Sequence, residues 1–213
     1  MRTAVIALIC VPILGLAART VVSADPPPPT LRLAVPLACP PGIVCMVQNY
    51  VDHDPGPGAR DHTCGPLATD GHQGIDIRVP GLREMSLGVP VVAAAAGVVR
   101  RVRDGIPDVS IRDAGPPPPG AVAGNTVVVD HPGGWQTQYS HLRRGSIAVH
   151  PGQLVTAGTR LGLVGLSGNT EFPHVHFVVR YRGGARDPYT GRPPGRGCGA
   201  PGRVLWTPAA AAT

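Results

Sequence analysis

Lysine is absent from this chain: all 19 basic residues are arginine. That excludes any carrier protein whose cofactor is attached through a lysine amine. Glutamate is nearly absent too, confined to Glu84 and Glu171. Neither sits in an H-E-x-x-H pattern, so a general base of that kind is excluded. Aromatic residues make up only 4% of the chain. The interior must therefore be built from Val, Leu, Ile and Ala, and the basic surface lacks the aromatic interleaving of a nucleic-acid binder. Sustained helical periodicity is missing, whereas 29 Gly and 26 Pro are present among 213 residues. This composition predicts a mainly β, antiparallel fold with long Pro/Gly-rich loops.

The chain also lacks an apolar run long enough to cross a bilayer. Ala4 to Ala17 is apolar apart from Pro12 and Gly15, about 14 residues against the ~20 required. With Arg2 before it and Val22-Ser23-Ala24 after it, residues 1–24 read as a cleaved signal peptide, leaving no stable membrane anchor. The remainder carries 17 arginines against 13 acidic residues, a net +4, which suits work near an anionic polymer such as a cell wall. Four cysteines remain, Cys39, Cys45, Cys64 and Cys198. No C-x2-C zinc spacing occurs, so an even count in an exported chain predicts two disulfides, with three pairings open. Export places the protein in a bacterial periplasm or the extracellular space.

Residues 25–48 form a Pro-rich linker and a Cys-containing lead-in, residues 49–189 the folded domain, and residues 190–213 a Pro/Gly/Ala-rich tail. Within the domain, alternating or β-branched runs predict strands at Ile75–Val79, Pro90–Ala93, Gly97–Val102, Asn125–Asp130, Trp135–Leu142 and His174–Tyr181, with two shorter ones near Leu154 and Leu161. His131-Pro132-Gly133-Gly134 supplies a hairpin turn, and Asp104 to Gly120, with Pro116–Pro119, reads as an exposed loop.

Three short stretches hold the candidate chemistry: Gly71-His72-Gln73-Gly74-Ile75-Asp76, Tyr139-Ser140-His141-Leu142 and Pro173-His174-Val175-His176-Phe177. On a strand His174 and His176 share a face, with Cβ atoms ~6.5 Å apart. That spacing lets one bind a metal while the other reaches a water held on it. Gly74, between His72 and Asp76, suits a tight turn into the strand at Ile75. An imidazole and a carboxylate from this H-x3-D turn, joined by a distant imidazole, make a three-ligand hydrolytic zinc set with a fourth position open. His53, His62, His131 and His150 lie in turn or Gly/Pro contexts and are expected to face solvent. Asp61 and His62 could line a groove, and Asn169 and Thr170 could shape its wall.

In order along residues 71 to 189 these motifs, with P-V-V-A-A-A-A-G-V-V, G-N-T-V-V-V-D-H and H-P-G-Q-L-V-T-A-G-T-R-L-G-L-V-G-L-S-G between them, make the chain resemble the lysostaphin-type zinc endopeptidases. The resemblance implies one zinc per chain on His72, Asp76 and His176, with His141 and His174 as unligated catalytic histidines. It also implies a compact antiparallel β fold and a peptidoglycan or peptide substrate. A Cys/Pro-rich segment replaces the arginine-containing stretch that many relatives carry before the first motif. Gly81–Leu87 and the Asp104–Gly120 loop are expansions expected to rim the groove. The rival within the same fold is a non-catalytic cell-wall-binding or hydrolase-activating module, disfavoured because all five positions are filled. The H-P-G-Q-L-V texture also resembles lipoyl and biotinyl domains, which the missing lysine excludes. A disulfide-stapled binding protein would leave the ordered histidines unexplained.

Overall fold

A computed structural model describes residues 30–211; the signal-peptide reading falls outside them. Ten strands form in chain order: β1 (Met46–Asn49), β2 (Ile75–Arg78), β3 (Pro90–Val92), β4 (Gly97–Arg103), β5 (Asn125–His131), β6 (Trp135–Leu142), β7 (Leu154–Val155), β8 (Arg160–Leu163), β9 (His174–Tyr181) and β10 (Gly184–Arg186). Three short helices join them, α1 (Leu82–Leu87), α2 (Ile111–Ala114) and α3 (Pro208–Ala211). The main sheet runs β1-β2-β9-β6-β5-β4-β7, with β10 also on β9, and β3 pairs with β8 in a second sheet. All these pairings are antiparallel. The strands expected from alternation are all present. Alternation does not reveal β1, β10 or the helices, which are too short to show a period.

Period-two alternation divides the main sheet into an apolar face and a polar one. Ile75 and Ile77 on β2, Val175, Phe177 and Val179 on β9, Tyr139 on β6 and Val127 and Val129 on β5 all enter one buried cluster. Val91 of β3 and Leu161 of β8 belong to the same cluster, so the small sheet covers the apolar face of the large one. Asp76, Gln138, His174, His176 and Arg180 are left on the opposite face.

Packing on the interior is not confined to residues 49–189. Leu33 is fully buried, its N–H donates to the Leu205 carbonyl at 2.9 Å, and Thr207 N–H donates back to the Leu33 carbonyl at 2.8 Å. Ala34 N–H reaches the Ala94 carbonyl and Ala38 N–H that of Pro90, so the lead-in runs beside β3. Leu205 and Trp206 of the tail are buried with it. The physical signal lies in Leu31-Arg32-Leu33, an alternation with both leucines buried and Arg32 exposed.

The disulfides are Cys39–Cys45 and Cys64–Cys198, separated by 6 and 134 residues. Closing the longer loop restricts the unfolded chain more, by about 5 kcal/mol against about 2 kcal/mol on chain-entropy grounds. Replacing Cys64 and Cys198 together by serine is accordingly expected to lower the denaturation midpoint far more than replacing Cys39 and Cys45. Equal losses from the two pairs, measured by chemical denaturation, would count against that account.

Two buried histidines overturn the expectation that they face solvent. His53 is fully buried and lies 2.7 Å from Asp187 Oδ2, which is equally buried. His131 offers one ring nitrogen to the Ala96 carbonyl at 2.7 Å and the other to Thr137 Oγ1 at 2.8 Å. Both read as turn residues because their partners are distant in sequence or on the backbone.

Candidate metal and catalytic site

His72 sits in the turn entering β2, and its orientation is set from the backbone. Its Nδ1 lies 2.7 Å from the Tyr50 carbonyl, which can only accept, so Nδ1 carries a proton and Nε2 is the atom left to face the cluster. Nε2 faces Asp76 Oδ2 at 3.2 Å and His176 Nδ1 at 3.1 Å. Strand pairing brings the other two members together: Asp76 of β2 lies directly opposite His176 of β9, and His176 Nδ1 is 2.8 Å from Asp76 Oδ1. Asn49 of β1 donates to Asp76 Oδ2 at 3.0 Å and fixes the carboxylate from behind. One ligand atom from each of His72, Asp76 and His176 lies within 4.8 Å of the other two.

Gly74 matters here for the space it leaves rather than for a tight turn. A Cβ there would meet the Phe177 carbonyl oxygen at 2.6 Å, His176 Cε1 at 2.8 Å and Val178 Cγ2 at 2.9 Å. Gly74→Ala must therefore push β9 and the His176 ring away. The expected cost is about 1–3 kcal/mol of stability and at least ~10-fold in metal affinity, as when a ligand loses its support. Denaturation and metal titration of the purified variant check both figures.

The electrostatics of the cluster favour a cation. Burial opposes the charge on Asp76, yet hydrogen bonds from His174, His176 and His72 outweigh it and hold the carboxyl far below its usual range. Burial likewise opposes protonation of His72, but the adjoining Asp76 and the Tyr50 carbonyl prevail and raise its pKa. For His176 burial wins, aided by the charges of His72 and His174, and its pKa falls. Protons on the imidazoles offset the Asp76 charge here; with those protons displaced, the carboxylate and two imidazole nitrogens gathered at one point would offer their lone pairs to a divalent ion. Two nitrogens and one oxygen form a donor set that fits zinc.

His141 reaches the same face through an irregularity in β6. Regular alternation would aim His141 toward the core beside Tyr139. Between the pairings Val127–Tyr139 and Asn125–Leu142, β6 holds two residues where β5 holds one. His141 has φ +61°, in the left-handed region. This bulge turns both Ser140 and His141 off the core face and lets Leu142 return to it. The strain sits at a candidate catalytic position. His141 Nδ1 donates to the Ser167 carbonyl at 2.7 Å, leaving Nε2 as an acceptor. Burial, then the His174 and His176 charges, lower its pKa from 6.5 to about 3. His174 is tied similarly, with Nδ1 at 2.9 Å from the Phe172 carbonyl and Nε2 turned toward Asp76 Oδ1 at 3.4 Å. The His141 ring centre lies 4.7 Å from that of His174 and 6.0 Å from that of His176.

These residues line a groove of about 410 Å³. Its walls come from Asn169, Thr170 and Glu171 on one side and Ile111, Val122 and Ala123 on another. The Asp104–Gly120 expansion thus rims the groove as expected, through Ile111 of α2. It is also less free than a loop reading implies, because Asp108 accepts from the backbone N–H groups of Arg144 and Leu166. The Gly81–Leu87 expansion forms α1 and contributes nothing to the lining. Asp61 and His62 are not in it either. Asp61 binds the N–H groups of Thr63, Gly65 and Leu67, and His62 stacks on Tyr189. Sequence reasoning misses Asn49 and the carbonyls of Tyr50, Ser167 and Phe172, since a backbone acceptor leaves no residue-type signal.

Residues 70–188 match peptidase family M23. The chain belongs to that family. The lysostaphin-type resemblance of the motifs and the antiparallel β fold are both borne out by this membership and by the sheet described above. Among relatives of this M23 protein, the peptidoglycan DD-endopeptidase ShyA of Vibrio cholerae is 33% identical over 112 residues, covering 53% of this chain and 21% of ShyA. The cell division protein DipM of Caulobacter vibrioides is 30% identical over 116 residues, covering 54% of this chain and 15% of DipM. The match therefore spans about a fifth or less of the length of these relatives. A chain of the SpoIIIAH–SpoIIQ complex superposes with a TM-score of 0.51 at 20% identity, covering 74% of this chain and 97% of its own, a likeness of fold alone.

Proposed function

We propose that this M23 protein is an exported, zinc-dependent endopeptidase that hydrolyses amide bonds in the peptide cross-links of peptidoglycan. The observation that carries the reading is the convergence of His72 Nε2, Asp76 and His176 Nδ1, with two further buried imidazoles beside them, on the floor of an open groove. Bound by these three residues, zinc would supply Lewis acidity, lowering the pKa of a coordinated water to about 7 and polarising the scissile carbonyl. The rest falls to the chain itself. His141 is neutral at physiological pH and presents Nε2 as a proton acceptor. His174, anchored through Nδ1, presents Nε2 toward the same centre. Between them they orient and accept a proton and donate to charge developing on the carbonyl oxygen. Export is supported by the two disulfides, and no helix among the described residues is long and apolar enough to cross a membrane. The peptidoglycan substrate is carried over from relatives such as ShyA, whose name states it.

The test uses the chain from Asp25 onward, oxidised, on purified peptidoglycan with and without a chelator. Release of soluble fragments that stops on chelation and returns with zinc is expected. A zinc-loaded protein that binds the wall but releases nothing would favour the non-catalytic module instead.

A further inference from the structure

The groove does not end at the metal-binding residues. Along the polar face of β9 the order His174, His176, Val178, Arg180 continues at period two, placing Arg180 ~13 Å from His176 along the strand. Strand register extends this face sideways: Val178 pairs with Gln138 of β6, Gln138 with Val128 of β5, and Val128 with Arg101 of β4. Arg101 and Arg103 line a second hollow of about 450 Å³, which shares Val122, Ala123 and Gln138 with the first. The two form one trough, with the metal-binding cluster at one end and arginines at the other.

Those arginines lack counter-charges. Arg100 is paired with Asp130 and Arg112 with Glu171, and Arg103 is committed to the carbonyls of Gly120 and Gly124. Arg180, half-buried, donates to the amide oxygen of Gln138 at 3.0 Å. Among the described residues no carboxylate forms an ion pair with Arg101 or Arg180. Arg180 bonds Gln138, and Gln138 and Arg101 line the same hollow, so the two arginines flank one glutamine shared by both parts of the trough; burial, then the Arg101 charge, lower the pKa of Arg180. Holding like charges together, one partly desolvated, costs folding free energy that an arriving anion would offset.

We infer that Arg180 and Arg101 form a subsite that binds a carboxylate of the substrate peptide. This rests on the hydrolase reading above. A guanidinium fork matches a planar carboxylate. Arg180 lies four strand positions from His176, so the carboxylate it binds belongs to a residue removed from the scissile bond. The protein thereby selects acidic peptide strands and anchors them in one direction along the trough.

The experiment compares native peptidoglycan with the same material after its carboxyl groups are converted to amides. Pelleting measures binding and fragment release measures turnover, for the wild type, Arg101→Gln, Arg180→Gln and Arg180→Lys, all zinc-loaded. Wild type should lose about 10-fold in binding and release on amidation, the scale of a hydrogen-bonded charge. The glutamine variants should show that loss on native wall and little further loss on amidated wall, while Arg180→Lys, which keeps the charge but not the fork, falls between wild type and Arg180→Gln. Should Arg180→Gln misfold, the exposed Arg101→Gln carries the comparison. Amidation without effect on the wild type, or glutamine variants that match it on native wall, would overturn the subsite. If the wild type releases nothing from either wall, the hydrolase reading fails, and the pelleting data still decide whether a carboxylate binds here.

Discussion

His176→Ala is expected to abolish zinc retention and, with it, all hydrolysis. The expectation follows from where His176 Nδ1 lies, 2.8 Å from Asp76 Oδ1 and 3.1 Å from His72 Nε2. With that nitrogen removed, one imidazole and one carboxylate remain, fewer than the three protein ligands that a hydrolytic zinc site uses. The ring lies over the polar face of β9 while Val175 and Phe177 pack the core on the other side. The variant should therefore fold with its sheet intact and differ chiefly in metal content. Metal analysis after dialysis, beside a denaturation curve, separates the two effects. A folded variant that still holds one zinc would remove His176 from the ligand set.

His141→Ala should behave in the opposite way, keeping about one zinc per chain while turnover falls at least ~100-fold, the scale of general acid–base assistance. His141 Nδ1 is committed to the Ser167 carbonyl, and burial with two neighbouring imidazoles keeps the ring neutral with a pKa of about 3. Its remaining nitrogen is therefore unprotonated, with its lone pair free, throughout the pH range in which the enzyme would work. Because φ at this position is +61°, alanine adds backbone strain of its own. His141→Asn, which tolerates the left-handed region better, serves as the control. Both variants should lose turnover to a similar degree. Full activity in either would show that His141 does not move the proton.

The strands of the domain are legible in the sequence because alternation and β-branched runs depend only on neighbours along the chain. Asn125–His131 shows this, with Val127, Val128 and Val129 all fully buried. The metal-binding candidates are legible as an ordered set of motifs, and the strand period alone puts both histidines of H-x-H on one face. The support behind them is not legible. Tyr50, Ser167 and Phe172 act through carbonyl oxygens, and any residue type could offer those. The bulge at His141 is equally hidden, since Tyr-Ser-His-Leu reads as plain alternation that would aim His141 at the core. The lead-in and tail escape for a different reason. Their Pro and Gly content signals loop, yet Leu33, Leu205 and Trp206 pack on the interior.

Whether His72, Asp76 and His176 hold a catalytic zinc is tested most directly by a crystal structure of the zinc-loaded protein, with anomalous scattering recorded on both sides of the zinc absorption edge. A single strong peak is expected about 2.0–2.2 Å from His72 Nε2, His176 Nδ1 and an Asp76 oxygen, with His141 and His174 outside bonding distance. A zinc peak held by other residues, or none in a protein that still cleaves peptidoglycan, would contradict the account.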